Sequence, residues 1–255
     1  MMAVALMFGA TAFADEGMWM IQDINEALEK NMRARGLKLA ANEIYNDEAP
    51  GTAVSDAVVS IGFYCTGSVI SDQGLIITNH HCAYSNIAKL STPEHNYLED
   101  GFWAMTSEEE IPIEGETVFF LKKVFDVTEE VKGIMKEFRA NGKPFGIRKI
   151  SAIMEKRYKE ATGMECILSS MWAGEKYYMS VYKTYTDLRL VAAPPQSIGY
   201  FGGNQDNWTW PRHNCDFTIY RIYEDGKPVT REKSLKISLA GYHPGSFAMV
   251  IGYPG

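Results

Sequence analysis

The sequence predicts a mainly β protein with inserted helices, in which short strands build a β-barrel. The first observation is a series of short apolar segments separated by turn signals, of which the hairpin around Ser71-Asp72-Gln73-Gly74 is the clearest. The second is a helical stretch at about 126–162, where apolar residues recur at helical spacing on both sides of a break at Asn141-Gly142-Lys143-Pro144. Together they indicate a barrel interrupted by a pair of amphipathic helices.

The remaining elements follow from local signals. A helix is predicted from Asp23 to Arg35, because Asp23 and Glu26 form a capping-box pattern and Gly36 is a stop signal. Residues 84–117 are predicted to be mostly irregular, since breakers interrupt them. Strands are expected at Ala57–Ile61, on both sides of the opening hairpin, and at Thr117–Val124, Met164–Trp172, Tyr177–Val191, Phe217–Glu224, 235–239 and Phe247–Ile251.

The first fourteen residues predict a signal peptide. Met1 to Ala14 carry no charge, are rich in apolar residues and end in Ala12-Phe13-Ala14, which places small residues at positions −3 and −1 of a cleavage site. The usual basic start is missing, and a buried N-terminal strand is the alternative. The pattern therefore predicts an exported protein whose mature chain begins at Asp15.

Composition excludes several classes of function. The chain has 255 residues, 46% hydrophobic content and a net charge of −7, which argues against nucleic acid or an anionic membrane surface as a main partner. No apolar stretch reaches the roughly 20 residues of a membrane span. The histidines lack metal-site spacing such as H-E-x-x-H, and no phosphate loop or dinucleotide fingerprint is present. We therefore expect no metal and no cofactor.

Four cysteines allow three disulfide pairings in an exported protein. Cys65 and Cys82 flank the same hairpin, which brings them close, so this pair is favoured. Cys166 and Cys215 could pair by elimination, but nothing local demands it.

The polar cluster after the hairpin carries the candidate chemistry. His80 and His81 follow the second strand, and Cys82 next to them can be bonded back to Cys65. This is how a catalytic imidazole is held rigidly in a β-barrel protease. His81 is preferred over its rival His80 because it adjoins the cysteine that the bond fixes. Asp216, at the start of an apolar strand, is a candidate partner for the ring, with a strand-capping role as the alternative.

Three longer stretches resemble the S46 family of bacterial dipeptidyl peptidases. They are Cys65–Tyr84, Phe201–Phe217 and Met249–Gly255, and Asp15-Glu-Gly-Met-Trp19 looks like the mature N-terminus of the family. The resemblance implies a chymotrypsin-like double barrel with a large added helical domain. It also implies a Ser-His-Asp triad that removes dipeptides from peptides with a free N-terminus.

The resemblance assigns roles to individual residues. The catalytic histidine falls on His81 and the aspartate on Asp216, while Asn207 and Trp208 match the pair that holds the free α-amino group of the peptide. Core packing is the alternative role for Trp208. At Cys215 the family often has glycine.

The nucleophilic serine of the family lies far downstream of any residue in this sequence. The resemblance therefore implies that residues 15–255 are a truncated chain, namely the first barrel and part of the second, which alone would be inactive. Ser246 and Ser68 are the internal alternatives for the nucleophile, and neither matches the family.

Two hypotheses follow. The first is the N-terminal part of a serine-type dipeptidyl peptidase, exported to the periplasm or cell surface of a Gram-negative bacterium and able to form homodimers as the family does. The second is a non-catalytic secreted module that binds peptides on a protease-like barrel.

Overall fold

An antiparallel sheet of eleven strands is the main feature of the computed structural model, which describes residues 18–142, 144, 146–199 and 214–253. In chain order the strands are β1 (Val58–Ile61), β2 (Cys65–Val69), β3 (Leu75–Thr78), β4 (Phe102–Trp103), β5 (Ile111–Ile113), β6 (Val118–Asp126), β7 (Glu165–Met171), β8 (Lys176–Tyr185), β9 (Asp187–Ala193), β10 (Thr218–Glu224) and β11 (Lys227–Pro228).

The strand order brings distant parts of the chain together. Neighbouring strands run β4-β9-β10-β3-β2-β1-β6-β8-β7, with β11 added to β10 and β5 to β9. Only Thr186 separates β8 from β9, so one stretch of chain pairs with β6 through its first half and with β10 through its second. The sheet therefore curls around a common core.

That core is filled from the inner faces of the central strands. Its buried members include Val59, Ile61, Val69, Ile76, Val118, Phe120, Leu188, Leu190, Tyr220 and Ile222. Gly67 in β2 lies where three of these side chains meet, because a Cβ there would come within 2.6 Å of Ile76 and 3.0 Å of Val59. The absence of a side chain at Gly67 lets the core close over this strand.

Seven α-helices accompany the sheet in the described part of the chain. They are α1 (Glu26–Ala34), α2 (Ala41–Ile44), α3 (His80–Leu90), α4 (Tyr97–Asp100), α5 (Thr128–Ala140), α6 (Ile147–Thr162) and α7 (Gln196–Gly199). The apolar sides of α5 and α6 pack on β7 and β8 around Val131, Ile150, Met154 and Met179, which form a second buried cluster. No described helix is both long and apolar enough to cross a membrane.

Most of the predicted elements are present. The opening hairpin is β2 and β3, and the two predicted amphipathic helices are α5 and α6. The helix predicted from Asp23 begins at Glu26 instead, with Asn25 as its N-cap: the Asn25 side chain accepts a hydrogen bond from the Leu28 amide at 3.0 Å. The predicted strand Tyr177–Val191 is divided between β8 and β9.

Two predictions are wrong. Residues 84–117, expected to be mostly irregular, contain most of α3, all of α4 and two short strands. Residues 235–239 and Phe247–Ile251, expected to be strands, form none. Ile237 is 70% exposed and Val250 is fully exposed. The Leu235 amide donates to the main-chain oxygen of Val69 in β2 at 2.8 Å, but neither segment forms a ladder with any strand among the described residues. Apolar alternation without a hydrogen-bonding neighbour does not make a strand.

The predicted fold class holds, with one difference from a closed barrel. The structure is a mostly antiparallel sheet with helices, as expected. Its hydrogen-bonded path is open, since the end strands β4 and β7 do not pair within the described residues. The predicted signal peptide, residues 1–14, lies outside them.

Replacing Gly67 by alanine tests the close approach inside the core. We expect Gly67→Ala to lower the free energy of unfolding by about 1–3 kcal/mol, because the added methyl overpacks the contact with Ile76. Gly133→Ala in α5 is the matched control: a Cβ there meets nothing within 4 Å, and alanine favours a helix interior by about 0.5–1 kcal/mol. Urea unfolding of both variants measures the two changes, and a neutral Gly67→Ala would contradict the packing argument.

Candidate active site

The register between β3 and β10 builds the site. Thr78 pairs with Thr218, so the residues that follow β3 lie opposite those that precede β10. The chain leaves β3 at Asn79 and enters α3, while Asp216 lies just before β10. His81 and Asp216, 135 positions apart in sequence, therefore meet at the same edge of the sheet.

Asp216 contacts His81 through both carboxylate oxygens. The Nδ1 atom of His81 lies 2.6 Å from Oδ2 of Asp216, and the main-chain amide of His81 donates to Oδ1 at 3.0 Å. The second bond satisfies one of the free amides at the N-terminus of α3, where a negative charge is also favourable. One carboxylate thus caps the helix and orients the ring.

This geometry selects the tautomer of His81. An ionised carboxylate only accepts hydrogen bonds, so Nδ1 carries the proton and Nε2 of the neutral ring has a free lone pair. The His81 side chain is 51% exposed, whereas that of Asp216 is only 11% exposed. Nε2 makes no hydrogen bond within the described residues. The arrangement is that of an oriented general base open to a reactant.

A disulfide fixes the helix that carries His81. Cys65 in β2 is bonded to Cys82 in α3, with 6.2 Å between their Cα atoms, so the predicted bond is present. Cys166 and Cys215 are both free, so the pairing left open for them does not form.

A buried carboxylate holds α3 at a second point. Glu116 accepts a hydrogen bond from the side-chain amide of Asn86 in α3 at 3.1 Å and another from the phenol of Tyr64, the residue before Cys65. Burial, followed by the Glu116 carboxylate, raises the pKa of Tyr64, so the phenol remains a donor. Glu116 therefore provides a second link, besides the disulfide, between the chain beside Cys65 and helix α3.

His80, the rival of His81, faces the interior. It is fully buried and packs against Gly199, where a Cβ would come within 2.6 Å of the ring. Neither ring nitrogen makes a hydrogen bond of ordinary geometry. Burial lowers the pKa of His80, although the charge of Asp216 acts in the opposite direction. A ring that is buried and neutral is not placed to accept a proton from a substrate.

The other predicted residues have different outcomes. Asn207 and Trp208 lie outside the described residues. The Ser246 hydroxyl accepts a hydrogen bond from the His243 amide at 3.1 Å, and no serine in the described part of the chain is bonded to His81. Among the described residues there is also no group of three or more side chains suited to hold a metal.

Sequence reasoning missed the contribution of Asn79. Its side-chain amide donates to the main-chain oxygen of Asp216 at 3.1 Å and to Oδ2 at 3.2 Å. The available signal was an asparagine immediately before a helix, but that signal predicts a cap and not a contact 137 positions away.

Comparisons with known proteins agree with one another. The sequence profile of the family described as Peptidase S46 matches residues 14–255. The chain is 42% identical over 260 residues to dipeptidyl-peptidase 7 of Phocaeicola vulgatus, covering 95% of this chain and 36% of that protein. It is 42% identical over 272 residues to the Asp/Glu-specific dipeptidyl-peptidase of Porphyromonas gingivalis, covering 98% of this chain and 37% of that protein.

The fold is similar to that of a solved relative. The crystal structure of Porphyromonas endodontalis DPP11 in complex with the dipeptide Arg-Asp matches with a TM-score of 0.83 and 36% identity. The match covers 91% of this chain and 35% of that chain. This chain thus spans roughly a third of the length of the relatives it matches.

The buried His80 predicts a specific sensitivity to acid. Burial lowers the pKa of His80 in the folded state. The unfolded chain, whose histidine has a pKa of about 6.5, therefore binds more protons below that pH. The free energy of unfolding therefore falls as the pH drops below about 6.5, by at most about 1.4 kcal/mol per pH unit for this proton. Between about pH 7.5 and about pH 5, His80→Leu should lose less stability than the unchanged protein.

Urea unfolding midpoints at the two pH values measure this difference. His95→Leu is the matched control, because His95 is exposed, and it should keep the acid sensitivity of the unchanged protein. An undiminished loss in His80→Leu would show that the buried ring does not cause it.

Proposed function

Because the chain belongs to the peptidase S46 family, we propose that it forms part of a serine-type dipeptidyl-peptidase and supplies the general base and its orienting carboxylate. The observation that carries the proposal is the contact of 2.6 Å between Nδ1 of His81 and Oδ2 of Asp216. The names of the relatives, dipeptidyl-peptidase 7 and Asp/Glu-specific dipeptidyl-peptidase, support the reaction class.

In the proposed reaction, His81 moves protons and Asp216 stabilises the charge that results. A serine hydroxyl contributed by a part of the protein outside residues 1–255 attacks the carbonyl carbon of the second peptide bond, while Nε2 of His81 takes its proton. Asp216 stabilises the imidazolium, which then protonates the leaving amine as the bond to carbon breaks. Water repeats the sequence on the acyl-enzyme, releasing the dipeptide and restoring the serine.

The substrate in this proposal is a peptide with a free N-terminus. We assign Asn207 and Trp208 to the α-ammonium group, because an amide oxygen accepts a hydrogen bond from a cation and an indole ring attracts one. Holding the ammonium fixes the distance to the reacting carbonyl, which limits release to dipeptides.

We also propose export to the periplasm or cell surface of a Gram-negative bacterium. The signal-peptide pattern at residues 1–14 supports export, and the disulfide between Cys65 and Cys82 is of a kind that persists in oxidising compartments. A homodimer is part of the same proposal and rests on the family resemblance alone.

Removing either partner of the pair should abolish the reaction. In the full protein that carries this chain, we expect His81→Ala and Asp216→Asn each to lower kcat for a chromogenic dipeptidyl substrate by about 10⁴-fold or more, because the base is lost or held in the wrong tautomer. Affinity for the peptide should change little. Stopped-time assays of dipeptide release and direct peptide-binding measurements give the two quantities.

A control variant and two contrary results complete this test. His95→Ala changes an exposed histidine whose main chain is hydrogen-bonded to Thr92 and Tyr97 and whose ring stacks on Tyr97, and it should keep full activity. Full activity in His81→Ala would contradict the assignment of the base. Peptide binding without any hydrolysis by the unchanged protein would favour a non-catalytic binding module.

Blocking the substrate tests the requirement for a free N-terminus. We expect an N-acetylated form of the same peptide to be cleaved at least about 100-fold more slowly, since it carries no ammonium group and desolvated partners would be left unpaired. Mass spectrometry of the products checks both the rate and the size of the fragment released. Equal cleavage of the acetylated and free peptides would contradict dipeptidyl specificity.

A further inference from the structure

Asn79 occupies the N-cap position of α3 but does not act as a cap. Its backbone is extended, as at an N-cap, and asparagine there ordinarily accepts a hydrogen bond from an amide two or three residues later. The Asn79 side chain makes no such bond. Asn25, in the equivalent position of α1, does, accepting from the Leu28 amide. The two N-cap asparagines therefore serve different purposes.

The capping role at α3 belongs to Asp216, and Asn79 binds Asp216 in return. Oδ1 of Asp216 accepts from the His81 main-chain amide at 3.0 Å. The Asn79 amide donates to Oδ2, at 3.2 Å, and to the main-chain oxygen of the same aspartate, at 3.1 Å. Because both neighbouring atoms of Asp216 are acceptors, only the NH₂ group of Asn79 can face them.

The contact falls on the oxygen that orients the base. Oδ2 of Asp216 lies 2.6 Å from Nδ1 of His81, so the ring and the Asn79 amide meet at one atom. The terminal torsion of an aspartate side chain is soft, and a carboxylate can turn about it at little cost. The Asn79 amide is hydrogen-bonded to both the carboxylate and the main-chain oxygen of Asp216, so it opposes that rotation. Because the Asn79 side chain is a neutral amide that donates here, it does not compete with Asp216 for the proton on Nδ1 of His81.

We propose that Asn79 is a positioning residue that holds the Asp216 carboxylate in the orientation in which Oδ2 faces Nδ1 of His81. Its effect on catalysis rests on the proposed function, because Asn79 acts through Asp216 and His81 and touches no reacting atom. Its effect on the geometry of the pair does not depend on any activity. The titratable residues directly adjacent to the pair in sequence are His80, which is buried, and Cys215, which is exposed.

The test compares Asn79→Ala and Asn79→Asp in the full protein that carries this chain. Asn79→Ala removes the donor, and Asn79→Asp keeps the shape but replaces the donor by a carboxylate that repels Asp216. We expect kcat for dipeptide release to fall about 10- to 100-fold in both variants, with KM unchanged, since misplacing a catalytic group by about 1 Å costs this much. We also expect the downfield proton resonance of the His81 Nδ1–H, hydrogen-bonded to Asp216, to weaken or shift in both.

Asn25→Ala is the matched control. It removes a true helix cap and should lower the melting temperature while leaving kcat and the resonance unchanged. Should Asn79→Ala lose its fold, the resonance and kcat of Asn79→Asp are sufficient to decide the role of Asn79.

The outcomes separate this inference from the proposed function. An unaltered resonance in Asn79→Asp would overturn the positioning role, whether or not activity falls, because the shape of the side chain would then suffice. Unchanged kcat together with unchanged KM in both variants would overturn it equally. If the unchanged protein releases no dipeptides, the proposed function fails, and the resonance, which needs no substrate, still decides the role of Asn79.

Discussion

The contact between the Asp216 carboxylate and the first turn of α3 is the constraint on which the site depends. It links the residue before β10 to the residues after β3, and those two strands are neighbours whose register pairs Thr78 with Thr218. A slip of one residue in that ladder would turn Asp216 to the opposite face of the sheet. The buried core below both strands, which includes Ile76 and Tyr220, opposes such a slip. Core packing thus fixes the register of the two strands, and the register fixes the position of the Asp216 carboxylate.

Helix α3, which carries His81, is also held at three points along its length. Asp216 holds its first turn, the disulfide holds Cys82 to β2, and Glu116 holds Asn86 one turn further along. Each tether comes from a different segment of the chain. A rigid helix matters because catalysis by an oriented base depends on distances that must be kept to within a fraction of an ångström.

The sequence predicted the local parts of this arrangement better than the distant ones. The hairpin and the helices α5 and α6 have strong periodic patterns, so they could be identified without tertiary information. Helix α3 was missed although Ala83 and Ile87 share its buried side, because its polar first turn conceals a short apolar pattern. The apolar segment at 235–239 was wrongly predicted to be a strand, since one hydrogen bond, from the Leu235 amide to Val69, does not continue into a ladder.

In the candidate active site, too, local features were predictable from the sequence and distant contacts were not. The bond between Cys65 and Cys82 was predictable, because both residues flank one hairpin. Position alone gave Asp216 no better role than that of a strand cap, and the family resemblance was needed to pair it with His81. The position of Asn79 before a helix predicts only a cap, and its contact with Asp216 could not be predicted locally, since it depends on which strands become neighbours.

Two adjacent histidines of α3 have opposite environments. Successive residues of a helix point about 100° apart, so His80 and His81 cannot face the same way. His80 is turned into the core, where burial keeps it neutral and Gly199 makes room for its ring. His81 is turned to the surface, with one nitrogen held by Asp216 and the other open. The proposed function adds a serine hydroxyl as the partner of His81, and no serine among the described residues is bonded to its ring. This chain spans roughly a third of the length of those relatives, and the proposed function takes the serine from outside residues 1–255. In the proposed function, the base and the nucleophile therefore come from widely separated parts of the protein.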